Sequence, residues 1–247
     1  MTKGMAAYGA ATDGALDIEG LEAGYGESMI LRKVALSVRP GQVVCLMGRN
    51  GVGKTTLLKT IMGLIKARSG VIRYAGMELT SAPPDRRARA GIGYVPQGRE
   101  IFQQLTVEEN LLLGLEAAAP PLRSKGIPES VFEMFPILKE MLRRKGGDLS
   151  GGQQQQLAIA RALVAEPKLL LLDEPMEGIQ PNIVQDIENV IAAIKASRRM
   201  SVLLVEQSLS FATAIADYYY VLDRGTIVAE GGSGELNEEQ MKQHLAV

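Results

Sequence analysis

Three short, almost unbroken apolar runs punctuate the chain: VVCLMG (43–48), LLLLDE (169–174) and SVLLVEQ (201–207). Runs of this length, without polar alternation, have the pattern of parallel strands buried on both faces. Ahead of the last run, Ile183, Ile187, Val190, Ile191 and Ile194 recur at the spacing of one helix face, predicting a helix packed on that sheet. Strand and helix patterns thus alternate, which predicts an α/β core. The N-terminal ALDIEG, ILRKVALSV and GVIRYAG and the C-terminal YYYVLDRGTIVAEG read instead as antiparallel strands with glycine turns, a smaller β layer beside the core. From Val107 to about Arg161 the leucine-rich segments VEENLLLGLEAA and ESVFEMFPILKEML replace the strand pattern around Pro-Pro and Lys-Gly breaks. They predict a helical lobe, over about residues 100–160, inserted within the domain.

Composition narrows the classes. With 247 residues, 46% of them hydrophobic, residues 16–247 can bury the core of one large domain. The opening MTKGMAAYGAATDGA (1–15) lacks a continuous apolar segment and reads as a loose tail. No run of about 18 apolar residues occurs, so the chain is not expected to cross a membrane by itself and is expected in the cytoplasm. The net charge is -1, with Lys and Arg scattered, so no nucleic-acid partner is expected. The single cysteine, Cys45, lies in an apolar run and reads as a buried thiol. The single histidine, His244, lies near the C-terminus and reads as idle.

Chemistry enters with GRNGVGKT (48–55), which fits G-x-x-x-x-G-K-[ST] directly after an apolar strand and before the helical TTLLKTIMGL. In this pattern the loop through Gly48, Asn50, Gly51 and Gly53 to Thr56 cradles phosphate oxygens. Lys54 reaches the β- and γ-phosphates, and the Thr55 hydroxyl binds Mg²⁺. The plainer alternative is a glycine-rich turn. At the end of LLLLDE, Asp173 is placed to hold Mg²⁺ through water and Glu174 to orient or deprotonate an attacking water; the alternative is a strand leaving into solvent. In LSGGQQQQLAIARAL (149–163), Ser150 reads as an N-cap, and Gly151 and Gly152 permit close approach. Leu157, Ala160 and Val164 form the apolar face, and the first turn offers free N–H groups to an anion.

The order GRNGVGKT, YVPQ, LSGGQ and LLLLDEP resembles the ATP-binding subunit of an ATP-binding cassette (ABC) transporter, over about residues 16–231. The resemblance implies a P-loop NTPase core of ABC type with an antiparallel β subdomain and an inserted helical subdomain. It implies ATP and Mg²⁺ as ligands, and two such domains closing head to tail on two ATP molecules. Ser150, Gly151, Gly152 and Gln153 would then contact the γ-phosphate held by the partner. Tyr25 matches the aromatic that stacks on adenine, and Gln97 the glutamine that senses Mg²⁺ and the attacking water while linking lobe to core. Gln207 stands where most members have a histidine on the γ-phosphate; its amide can donate but carries no charge. This departure predicts slow hydrolysis by the isolated chain.

Finer resemblance follows YVPQGREIF, LTVEENL, the LSGGQ helix and DEPMEGIQP, which are most similar to an ATPase subunit of urea and short-chain amide importers, with branched-chain amino-acid importers as the alternative. Such systems imply a second ATPase subunit, two transmembrane permease subunits, a periplasmic solute-binding protein, and a place on the inner face of the membrane. IFQQLTVEENL is the candidate docking stretch, or else lobe core. Met176 and Gln103 depart from the pattern, which has Thr or Ser and Pro there; the first bears on the dimer loop 177–180. Two rivals remain: a soluble cassette ATPase, which usually has paired cassettes or a long coiled coil, and a nucleotide-binding subunit with little turnover.

Overall fold

The computed structural model describes residues 15–207 and 209–235, so His244 and all but the last residue of the expected tail lie outside the described residues. Strands β1 (Leu16–Tyr25), β2 (Ser28–Val38), β4 (Ala67–Tyr74) and β5 (Met77–Glu78) form an antiparallel sheet in the order β2-β1-β4-β5. Strands β3 (Val43–Met47), β6 (Ile92–Val95), β7 (Leu169–Asp173), β8 (Ser201–Val205), β9 (Tyr218–Asp223) and β10 (Thr226–Gly232) form a second sheet in the order β10-β9-β3-β8-β7-β6. The three apolar runs are its central strands β3, β8 and β7, paired in parallel.

Their unbroken apolarity follows from burial on both faces. Leu169 and Leu171 of β7, with Leu203 and Val205 of β8, pack toward the antiparallel sheet and the helix α1 (Lys54–Ile61). Leu170, Leu172, Val202 and Leu204 pack the opposite way, onto α7 (Gly151–Leu163) and α8 (Pro181–Ser197). Ile187, Val190, Ile191 and Ile194 of α8 are buried there, as their spacing requires. Helix α2 (Pro84–Arg89) leads into β6, and α9 (Leu209–Ile215) into β9.

The C-terminal hairpin corrects one expectation. β9 and β10 are antiparallel to each other, but β9 pairs in parallel with β3, so the hairpin extends the main sheet rather than the smaller layer. The reason lies in YYYVLD: residues 219–222 are all buried, Tyr220 and Leu222 on one face and Tyr219 and Val221 on the other. That is the burial of an interior strand.

Between β6 and β7 the chain is helical, with α3 (Val107–Gly114), α4 (Pro120–Arg123), α5 (Glu129–Met134) and α6 (Pro136–Glu140) preceding α7. Pro136 divides ESVFEMFPILKEML by taking the first position of α6, where its missing N–H costs nothing. Val107, Leu111, Phe132 and Leu138 join the same apolar cluster as Leu157 and Ala160 of α7, tying this lobe to the main sheet.

Arg87 of α2 is 2% exposed, and its guanidinium donates to the carbonyls of Thr60, Ile61, Thr80 and Ala82 at 2.7–3.0 Å. It satisfies the open carbonyls at the end of α1, although burial lowers its pKa. Among the described residues, no helix is long and apolar enough to cross a membrane.

Candidate active site

The loop from Gly48 to Gly53 leaves β3 and turns directly into α1. Gly53, the residue before the helix, has φ 114°, a conformation open to glycine and strained for other residues. Among the described residues no side chain caps α1, so its first N–H groups open onto a cavity of about 440 Å³ lined by residues of this loop. Lys54 folds back inside: its Nζ donates to the carbonyls of Gly48 at 2.7 Å and Arg49 at 2.9 Å, and pairs with Glu174 Oε1 at 3.2 Å. The Lys54 and Glu174 side chains are only 4% and 8% exposed, so the ammonium is held by direct partners rather than by water.

Asp173 ends β7 opposite the start of α1. Thr55 Oγ1 donates to its Oδ1 at 3.2 Å, while its buried Oδ2 has no hydrogen-bond partner among the described residues. Burial pushes this carboxyl up to about 6; the Thr55 bond opposes the rise, Glu174 adds to it, and Lys54 opposes it. A desolvated carboxylate with a spare oxygen, beside a hydroxyl, is the hard oxygen set that Mg²⁺ accepts, and that ion takes its remaining ligands from phosphate and water. The residues therefore fit the metal.

Glu174 has φ 48°, and its N–H donates to Val205 O at 3.1 Å, which turns the chain as it leaves the sheet. Three side chains converge on its carboxylate. Lys54 and Gln207 Nε2 meet Oε1 at 3.2 and 3.0 Å, and Gln97 Nε2 meets Oε2 at 3.1 Å. Gln97 also donates to Glu177 Oε2 at 2.7 Å, and Gln207 to Asn50 Oδ1 at 2.7 Å. Tyr25 stands at the mouth of the same cavity, 52% exposed, where an aromatic face is open to a ligand. Gly51, Thr55 and Thr56 complete this wall.

The structure thus brings the loop, Tyr25, Gln97, Asp173, Glu174 and Gln207 together. Ser150, Gly151, Gly152 and Gln153 are not among the residues lining this cavity. They form a capping box: Ser150 Oγ accepts from Gln153 N at 3.3 Å, and Gln153 Oε1 from Ser150 N at 2.9 Å. Both side-chain acceptors are used within the cap, and the hydroxyl and amide hydrogens are not needed for it. Gly152 also permits close packing, since a Cβ there would lie 2.6 Å from Ile183 Cγ1 of α8.

Sequence reasoning missed Arg99. Its Nη2 donates to Gly178 O at 3.3 Å, and its Nη1 would lie 2.9 Å from a Cβ on Gly151, so it touches both the loop 177–180 and the start of α7. Arg99 and Glu100 both have positive φ, 72° and 44°; the only signal in the sequence is a charged pair directly after Gly98. Met176 packs against the apolar cluster shared by the lobe and main sheet, whereas nothing in the structure explains Gln103. The docking stretch divides: Val107 and Leu111 are lobe core, but Phe102 is 52% exposed. Phe102, Leu64, Leu113 and Arg161 line a groove of about 640 Å³ between lobe and core.

Comparison with known proteins agrees with this geometry. The ABC transporter family profile matches residues 31–177. The chain is 45% identical over 204 residues to the high-affinity branched-chain amino acid transport ATP-binding protein BraG of Pseudomonas aeruginosa, covering 83% of this chain and 87% of the relative. It is 37% identical over 227 residues to the probable branched-chain amino acid transport ATP-binding protein LivF of Archaeoglobus fulgidus, covering 92% and 96%. Among solved structures, a nucleotide-free ATP-binding cassette from an ABC transporter superimposes with a TM-score of 0.79 at 30% identity, covering 95% of this chain and 96% of the other. The chain belongs to the ABC transporter family, as an ATP-hydrolysing cassette subunit.

Proposed function

We propose that this chain is the Mg²⁺-dependent ATPase of an importer for branched-chain amino acids. The observation that carries the reading is the convergence of Lys54, Gln97 and Gln207 on Glu174, beside the Thr55–Asp173 pair. The loop N–H groups and Lys54 bind the phosphates of ATP, and Tyr25 takes the adenine. Bound Mg²⁺, held by Thr55 and Asp173, supplies charge neutralisation of the phosphates. Glu174 orients the attacking water and accepts its proton; Gln97 and Gln207 hold the Glu174 carboxylate in place by donating to it. Catalysis here is mainly positioning and charge stabilisation.

Because the capping-box residues lie apart from this cavity, their remaining donors complete the site of a second cassette subunit across a head-to-tail dimer. The exposed Phe102 and the groove beside it receive a segment of a permease subunit, which places the chain on the inner face of the membrane; a periplasmic solute-binding protein delivers the cargo. The solute is inferred from the relatives. BraG and LivF are named for branched-chain amino acids, which favours that alternative over the urea reading drawn from motif likeness. Parallel uptake of labelled leucine and labelled urea by cells with and without the gene tests the choice. Loss of leucine uptake alone is expected, and loss of urea uptake alone would restore the urea reading.

A further inference from the structure

Next to the Thr55–Asp173 pair, the buried Tyr94 hydroxyl and Asp173 Oδ2 have no hydrogen-bond partner among the described residues. The strand register explains why they are neighbours. Tyr94 of β6 pairs with Leu171 of β7, and Asp173, two residues further along β7, lies on the same face of the sheet. That face looks onto α1, whose Thr55 holds the other Asp173 oxygen at 3.2 Å. Tyr94 packs against the apolar cluster on that side. A phenylalanine would fill the same space without burying a donor, and an unpaired buried donor is costly.

We propose that Tyr94 is a positioning residue of the ATPase site: its hydroxyl donates to the Asp173 carboxylate and fixes the rotamer in which the opposite oxygen meets Thr55. The proposal rests on the ATPase reading above. It assigns to the YVPQ segment a role upstream of Gln97, through the sheet edge rather than through the loop. Groups that orient a metal-binding carboxylate from behind tune its affinity for the ion.

The test is Tyr94→Phe, which removes the hydroxyl and keeps the ring. Binding of a fluorescent ATP analogue is followed in EDTA and across a Mg²⁺ titration, with melting temperature recorded alongside. In EDTA the variant is expected to bind like the wild type and to melt like it. The Mg²⁺ concentration for half-maximal enhancement of binding is expected to rise roughly 10-fold or more. In an Asp173→Asn background, Tyr94→Phe is expected to add nothing further. An unchanged Mg²⁺ titration, or a parallel loss of metal-free binding and melting temperature, would overturn the proposal. A wild-type chain whose nucleotide binding ignores Mg²⁺ would overturn the ATPase reading, and this proposal with it.

Discussion

Gln207 donates from its side-chain amide to Glu174 Oε1 across 3.0 Å, and from the same nitrogen to Asn50 Oδ1 across 2.7 Å. A neutral amide therefore ties the proposed water-activating carboxylate to the phosphate loop, at a place where an imidazole could add positive charge. Gln207→Ala cuts both ties. Steady-state ATP turnover should fall by about 100-fold or more, the scale for loss of one preorganised donor. The purified wild-type chain should itself turn over slowly. Brisk wild-type turnover, untouched by the substitution, would show that Gln207 is not part of the machinery.

Arg87 supports the site from below, since the helix it terminates carries Lys54 and Thr55 at its other end. Arg87→Ala leaves four backbone carbonyls without this donor. The expected loss is about 3 kcal/mol, from hydrogen bonds to a charged group, or about 10 °C in melting temperature for a domain of this size. Arg87→Lys should recover only part of it, because one ammonium cannot reproduce the planar fork. Thermal unfolding of the three chains decides the point; equal melting temperatures would refute it.

Asp217 makes part of the fold's stability depend on pH. Burial alone would raise its pKa, but the Val43 N–H at 2.9 Å, Arg198 at 2.9 Å and Lys195 at 3.3 Å outweigh burial and hold the carboxyl below its ordinary value. A carboxylate depressed in the folded state stabilises above its unfolded pKa, about 4, and loses that contribution as pH falls through the lower folded value. Asp217→Asn should therefore melt below the wild type at pH 7, and the gap should close as pH drops under about 4. A gap constant across that range would mean that the charge contributes nothing.

How much was legible beforehand varied with the kind of residue. The central strands were readable because a strand buried on both faces must be apolar throughout, as Leu169 to Leu172 show. Lys54, Thr55, Asp173 and Glu174 were readable because phosphate chemistry fixes their types and spacing, and the fold brings them together. The placement of β9 was not readable: YYYVLDRGTIVAEG pairs with itself as expected, but its second partner, β3, lies over 170 residues away and leaves no local mark. Strand β6 is only four residues long and contains Gly93, so its periodicity was too brief to detect. Arg87 and Tyr94 were missed for a related reason, since the backbone carbonyls that accept from Arg87, and the strand that sets Asp173 on the same face as Tyr94, are brought near only by the fold.

The most direct test is leucine uptake by vesicles reconstituted with the complete importer, carrying either the wild-type chain or Glu174→Gln. The variant keeps the size of the side chain and removes the carboxylate on which Lys54, Gln97 and Gln207 converge. ATP-driven uptake should fall at least about 100-fold while ATP binding persists, because the loss falls on the chemical step. Undiminished uptake with Glu174→Gln would contradict an ATP-hydrolysing site in this chain as the source of transport.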